Sequence, residues 1–257
     1  MQAPRPIIAI AGTPGWEDHA KTRLRAGGFE VLRCTDPAHY IDALIDHTPA
    51  LLLVDSKDPN WRYWITTPKT EQATRRLPVL AVVQHAAREI EALAAGATAC
   101  LQHDNLDVGL LDAVHAHGRL PDPDLTRELW CQCQESLPRL AQLGVERFNA
   151  GAYYAQHDAF EEQWMAESGP VRELYRAILQ VGVAYYHITR GNHAGGLKML
   201  QRSVQWFALL PDTCQGIDVR QLREDAGRVR AVLKSIAPAD IDTFDRALLK
   251  PIRRVDT

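Results

Sequence analysis

Long apolar runs are missing from this sequence: none approaches the roughly 18 residues that a membrane-crossing helix requires. The opening residues Met1-Gln2-Ala3-Pro4-Arg5-Pro6 lack the order of a secretory signal, so the expectation is a cytoplasmic protein. Charge of one sign is missing too. A formal net charge of −3 gives no bulk attraction to nucleic acid or to an anionic membrane. Cysteine is scarce and unpatterned: Cys34, Cys100, Cys131, Cys133 and Cys214 have no framework spacing. Cys131 and Cys133 would point to different faces of a helix, and no second paired cluster accompanies them, which argues against a zinc knuckle. Free thiols in a reducing compartment are expected. What is present, 46% hydrophobic and 24% charged residues over 257 positions, is a soluble globular composition with room for two domains.

The first half alternates short apolar strands with helical segments. Strands are expected at Ile7–Ala11, Glu30–Cys34, Leu51–Val54, Pro78–Val83 and Thr98–Leu101. Helices fit at Trp16–Ala26, Ala38–Asp46, Lys69–Arg76, Ala86–Ala95 and Leu106–His117. Leu51-Leu52-Leu53-Val54 is apolar throughout, as a central parallel strand should be. The expectation for residues 1–117 is an α/β unit with a doubly wound, five-stranded parallel sheet of order 2-1-3-4-5, flavodoxin-like. Residues 118–124, with Pro121 and Pro123, read as a linker. Residues 125–257 read as all-α, with candidate helices from Leu125–Ser136 through Pro238–Leu249 and no convincing strand. An offset of forty residues pairs Gly151 with Gly191, Phe148 with Ile188, Phe160 with Leu200, and Trp164 with Val204. Both copies read as helix, glycine turn, helix, the logic of tetratricopeptide-like hairpins. The tail Lys250–Thr257 reads as short, basic and frayed.

The segments Leu51-Leu52-Leu53-Val54-Asp55, Leu77-Pro78-Val79-Leu80-Ala81-Val82 and Gly96-Ala97-Thr98-Ala99-Cys100-Leu101 resemble a response-regulator receiver domain over about Pro6 to His117. The resemblance puts Asp55 at the phospho-acceptor position. The rest of that apparatus is absent. Gly12-Thr13 stands where the resemblance implies an acidic pair for magnesium, with Glu17 and Asp18 too far along. Val83 replaces the switch hydroxyl and His103 the lysine. Without metal or lysine the charge of an incoming phosphoryl group is not neutralised. A pseudo-receiver is therefore expected, with Asp55 a solvated residue or a cap. Asp58-Pro59-Asn60-Trp61-Arg62-Tyr63-Trp64 reads as an aromatic loop. Trp61, Tyr63 and Trp64 are candidates either for partner binding or for packing on the helical half.

In the second half, Phe148-Asn149-x-Gly151-x-Tyr153-x-x-x-His157-Asp158-x-x-Glu161-x-x-Trp164 is followed by Leu179-Gln180-Val181-x-Val183-Ala184-x-Tyr186-His187, Gly191-Asn192-x-x-Gly195 and Gly216-Ile217-Asp218. Together these resemble domain-of-unknown-function family 309 over about residues 140–233. That resemblance implies an all-helical fold and no assigned activity. Asp158 stands where the family usually has glutamate.

His157, Phe160, Glu161 and Trp164 fall at helical spacing on a stripe whose aromatics say it is buried. Gln180 and His187 lie two turns apart on the apolar helix Val171–Thr189 and could meet them. His157, Glu161, Gln180 and His187 would then form one buried polar cluster. Three readings stay open for it: a hydrogen-bond network fixing helix register; a site for a divalent transition metal such as zinc on His157, Glu161 and His187; or acid–base chemistry at His157 and Glu161 in a hydrolase-like enzyme. The preferred reading is a non-catalytic regulatory or protein-interaction protein with no cofactor, an unknown protein partner, a homodimer being one candidate, and no nucleic-acid or membrane target.

Overall fold

The computed structural model describes residues 5–255, and the chain divides into two compact units, Met1–Leu120 and Pro121–Thr257. The opening residues Met1–Pro4 and the end of the tail, Asp256 and Thr257, lie outside the described residues.

In the first unit, β1 (Ile7–Ala11), β2 (Glu30–Cys34), β3 (Leu51–Asp55), β4 (Val79–Val83) and β5 (Ala99–Gln102) form one parallel sheet of order β2-β1-β3-β4-β5. This is the order expected, the flavodoxin-like one that receiver domains share. β3 and β4 are buried at every residue, which is why both are apolar without alternation. Helices α1 (Glu17–Ala26) and α5 (Leu106–His117) share one core with Ile8, Ile10, Leu51 and Leu53. The other sheet face packs α2 (Tyr40–His47), α3 (Trp61–Thr70) and α4 (Ala86–Ala94) around Ala9, Leu52 and Val54.

Helix α3 corrects the sequence reading. The aromatic segment is the helix, and Lys69–Arg76 is mostly turn. Asp58 closes a short turn by accepting from the Asn60 amide at 2.7 Å. Trp61, Trp64, Ile65 and Pro68 then follow at i, i+3, i+4 and i+7, and all four are buried.

The second unit contains α6 (Pro123–Cys133), α7 (Arg139–Asn149), α8 (Tyr153–Ala166), α9 (Arg172–Thr189), α10 (His193–Phe207) and α11 (Val219–Ser235). Only the end of the expected linker is helix start: Asp122 caps α6 by accepting from Asp124 and Leu125, and Pro123 occupies the first turn. Between α10 and α11 a two-residue antiparallel hairpin, β6 (Thr213–Cys214) and β7 (Ile217–Asp218), interrupts the helices. The expected final helix is instead a pair of 3-10 turns. The tail is ordered by contacts through Val255. Asn149 bonds both backbone groups of Ile252, at 2.7 and 3.0 Å, and Arg254 bridges to Ile217.

The forty-residue offset has a structural counterpart. Gly151 and Gly191 adopt φ of +74° and +73° in the turns α7–α8 and α9–α10, a region that favours glycine. Phe148, Ile188, Phe160 and Leu200 are all in one hydrophobic core.

Cysteine usage also differs from expectation. Cys133, at the end of α6, is disulfide-bonded to Cys214 on the hairpin, while Cys34, Cys100 and Cys131 are free. The partners are 81 residues apart and meet only through tertiary structure, so spacing could not reveal them. Burial pushes the Cys34 and Cys100 thiols up to about 11, which leaves them protonated and unreactive at neutral pH.

Candidate functional site

Asp55 ends β3 at the carboxyl edge of the sheet, where open α/β folds place ligands. The residue is only 4% exposed. The Trp16 indole donates to Oδ2 at 3.0 Å. The Lys57 amide, at 2.9 Å, and Gln84 Nε2, at 3.3 Å, donate to Oδ1. Ser56 Oγ in turn donates to Gln84 Oε1 at 3.0 Å, fixing the amide's orientation. Asp55 is thus a buried node and not a solvated residue, although its bond to Lys57 is a local cap of the expected kind. Sequence reading missed Trp16 and Gln84 as its partners. The available signal was an indole donor immediately after the β1 loop.

The neighbouring positions are equally committed. A Cβ at Gly12, whose φ is +72°, would lie 2.2 Å from Asp58 Oδ2, so the β3–α3 loop covers that position. Glu17 is engaged by Arg33 and, at 3.8 Å, by Lys21. Val83 is buried in β4, and His103 lies beside Asp104 at 3.6 Å.

Of the aromatic candidates, Trp61 and Trp64 belong to the core of the first unit. Tyr40 stacks edge-on against Trp64 at 4.8 Å and donates its hydroxyl to the Trp64 carbonyl at 2.6 Å. Arg62 and Arg88 lie over Trp61 and both reach Glu91, at 3.1 and 2.9 Å. Only Tyr63 is exposed among the three, and its hydroxyl donates to the Pro37 carbonyl.

His157, Glu161, Gln180 and His187 do not assemble as one buried cluster. The His157 and Glu161 side chains are 34% and 49% exposed, with His157 Nδ1 3.8 Å from Glu161 and 3.4 Å from Asp158. Successive residues advance about 100° round a helix, so Glu161 sits some 140° from Gln156. The buried face of α8 is centred on Gln156, Ala159 and Phe160, leaving His157 at its border and Glu161 on the exposed side. Gln180 is buried on α9 with Oε1 making no hydrogen bond among the described residues.

His187 has a different task. Asn192 Oδ1 accepts from the Gly195 amide at 2.8 Å, and Asn192 Nδ2 lies 3.1 Å from His187 Nδ1. With the amide donating, Nδ1 accepts and the ring proton sits on Nε2. The motif Gly191-Asn192-x-x-Gly195 therefore caps α10 and ties its start to the end of α9. Among the described residues, no group of three or more His, Cys, Asp or Glu side chains could hold a metal ion. No described helix is long and apolar enough to cross a membrane.

A surface ion pair contributes about 0–1 kcal/mol. His157→Ala is therefore expected to change unfolding free energy by less than about 0.5 kcal/mol in urea titration. A loss above about 1.5 kcal/mol would restore the buried-network reading, since that is the range for orphaned buried partners.

No curated protein matches the chain. Solved structures resemble it at low identity. A response regulator from Desulfuromonas acetoxidans is 15% identical, covering 44% of this chain and 95% of that chain with a TM-score of 0.39. The signal receiver domain of a signal transduction histidine kinase from Syntrophus aciditrophicus is 19% identical, covering 44% and 89% with a TM-score of 0.39. Full-length FixJ from B. japonicum is 18% identical, covering 79% and 99% with a TM-score of 0.38. The flavodoxin-like architecture of the first unit is read from its own strand order. In the helical unit, residues 141–199, from within α7 to within α10, match the family model described as Domain of unknown function (DUF309), a shorter span than the resemblance read from sequence.

Proposed function

We propose that this chain is a non-catalytic regulatory protein of the cytoplasm. In this reading a receiver-fold unit that does not undergo phosphotransfer is fused to a tetratricopeptide-like helical module that engages a protein partner, a second copy of the chain being one candidate. The observation that carries the reading is the bond from Trp16 Nε1 to Asp55 Oδ2. An attacking carboxylate oxygen must be accessible and must have cationic groups ready for the incoming phosphoryl charge. Here that oxygen is held by an indole, and Asp58 lies over the neighbouring Gly12. Support for the interaction role comes from the two matched hairpins, since stacked helix pairs present extended faces to partners.

The test is incubation of the full chain with acetyl phosphate and magnesium, followed by intact-mass measurement. No phospho-adduct is expected, and Trp16→Phe, which opens Oδ2 but supplies no cation, should remain unmodified as well. A stoichiometric adduct on Asp55 of the unaltered chain would reject the proposal.

A further inference from the structure

We infer that residues 251–255 close, in cis, a groove of the helical unit that takes extended peptides, and that a partner peptide with an aliphatic anchor displaces them. The segment is held by its main chain. The Asp218 amide donates to the Arg253 carbonyl at 3.0 Å, and the Val255 amide donates to the Gly216 carbonyl at 2.9 Å. With Ile217 opposite Arg254 in an antiparallel bridge, the segment extends the β6–β7 hairpin by a third strand. The Asn149 side chain, at the end of α7, accepts from the Ile252 amide at 2.7 Å and donates to its carbonyl at 3.0 Å. Asn149 makes no other side-chain hydrogen bond among the described residues. None of these four bonds depends on the segment's sequence. Sequence enters at Ile252, which alone among residues 251–255 is buried and joins the core of the helical unit. Strand addition at a sheet edge with a side chain in a pocket is how sheets recognise extended peptides.

The groove also indicates what fits it better than the resident segment. Beside Arg254 and Val255 lies a solvent-open cavity of about 300 Å³, walled also by Glu135, Ser136, Gln142 and Gln215. Its walls carry a carboxylate, a hydroxyl and two amides, so a long polar or basic side chain at the Val255 position gains contacts that valine does not make. The occupant is therefore an extended peptide with an aliphatic residue at the Ile252 position and a polar or basic one three residues on. This assignment names a surface and a partner class for the interaction role proposed above, and it rests on that role. The phosphodonor test reads Asp55 alone, so either idea can fail without the other.

The test is fluorescence anisotropy of a labelled peptide of residues 248–255, Leu-Leu-Lys-Pro-Ile-Arg-Arg-Val, titrated with full-length chains. Saturable binding is expected to Ile252→Asp, which expels its own anchor and leaves the groove open. In the unaltered chain the cis segment competes at an effective concentration on the order of mM, so the peptide should bind at least about tenfold more weakly. Adding Asn149→Ala to Ile252→Asp removes two backbone bonds and should weaken the peptide by about tenfold. A peptide with aspartate in place of its isoleucine should not bind. Val255→Pro, which deletes only the amide that donates to Gly216, gives a milder opening if Ile252→Asp fails to fold. Absence of saturable binding to a folded opened chain, equal affinity for the unaltered and opened chains, or unchanged affinity with Asn149→Ala would overturn the assignment. Loss of the fold in both opened chains would overturn it too, because the segment would then be a fixed part of the core.

Discussion

Replacing Phe160 by alanine should destabilise the helical unit by about 3–5 kcal/mol, the cost of emptying a large buried aromatic site. Phe160 is fully buried on α8 and lies directly against the backbone of α7. A Cβ placed on Gly144 would fall 2.6 to 2.9 Å from three of its ring carbons. One wall of the ring's site is therefore helix main chain, which cannot move in to fill the void as a flexible side chain could. Urea unfolding of the full chain, read on the transition of the helical unit, measures the loss. A loss below about 1.5 kcal/mol would mean that the site collapses, and that the close helix approach is not held by this ring.

The same geometry predicts a non-additive partner. Gly144→Ala alone should be destabilising, because overpacking costs about 1–3 kcal/mol and outweighs the roughly 0.5–1 kcal/mol that alanine gains over glycine in a helix. In the double variant the new methyl occupies space vacated by the ring. The combined loss should thus be smaller than the sum of the two, as for any pair in direct contact.

Much of this architecture is legible in the sequence, and the reason differs between the units. The strands of the first unit lie in a doubly covered sheet, so burial demands apolar residues on both faces, and β3 and β4 stand out as unbroken runs. The helical unit was legible through its glycines, because a turn at positive φ needs Gly151 and Gly191 whatever surrounds them. Helix α3 was not legible. Its start, Asp58-Pro59-Asn60, is turn chemistry, and its aromatics suggested an exposed loop; only tertiary packing against Tyr40 makes Trp64 a core residue.

The candidate site was legible in its residue types and misplaced in its depth. His157 and Trp164 flank the buried face of α8, and a few tens of degrees of helix rotation separate a core position from a rim position. Gln156, which sits against Gly182 and is fully buried, carries no sequence mark distinguishing it from a surface glutamine. The partners of Asp55 were hidden for a related reason. Trp16 and Gln84 lie 39 and 29 positions away in sequence, and the sheet alone brings them together.

Reduction of the Cys133–Cys214 disulfide should lower the stability of the helical unit by about 2–4 kcal/mol, towards the upper part of that range because the closed loop is long. The bond joins residues 81 apart, so its opening frees most of the helical unit in the unfolded chain. The folded side of the equilibrium should change little. The Gln215 amide donates to the Cys133 carbonyl at 2.7 Å, Gln215 Nε2 to the Gln132 carbonyl at 3.3 Å, and the Tyr175 hydroxyl to Gln215 Oε1 at 2.9 Å. These bonds keep the hairpin on α6 without the sulfur link. Burial drives the Tyr175 hydroxyl up to about 12, so it remains a donor across the neutral range. Urea midpoints with and without reductant measure the effect, and a Cys133→Ala/Cys214→Ala variant should be insensitive to reductant. Thiol titration of the denatured, unreduced chain should find Cys34, Cys100 and Cys131 alone. If all five cysteines of the sequence titrate without reductant, the link is not formed, and the midpoint should then be the same in both conditions.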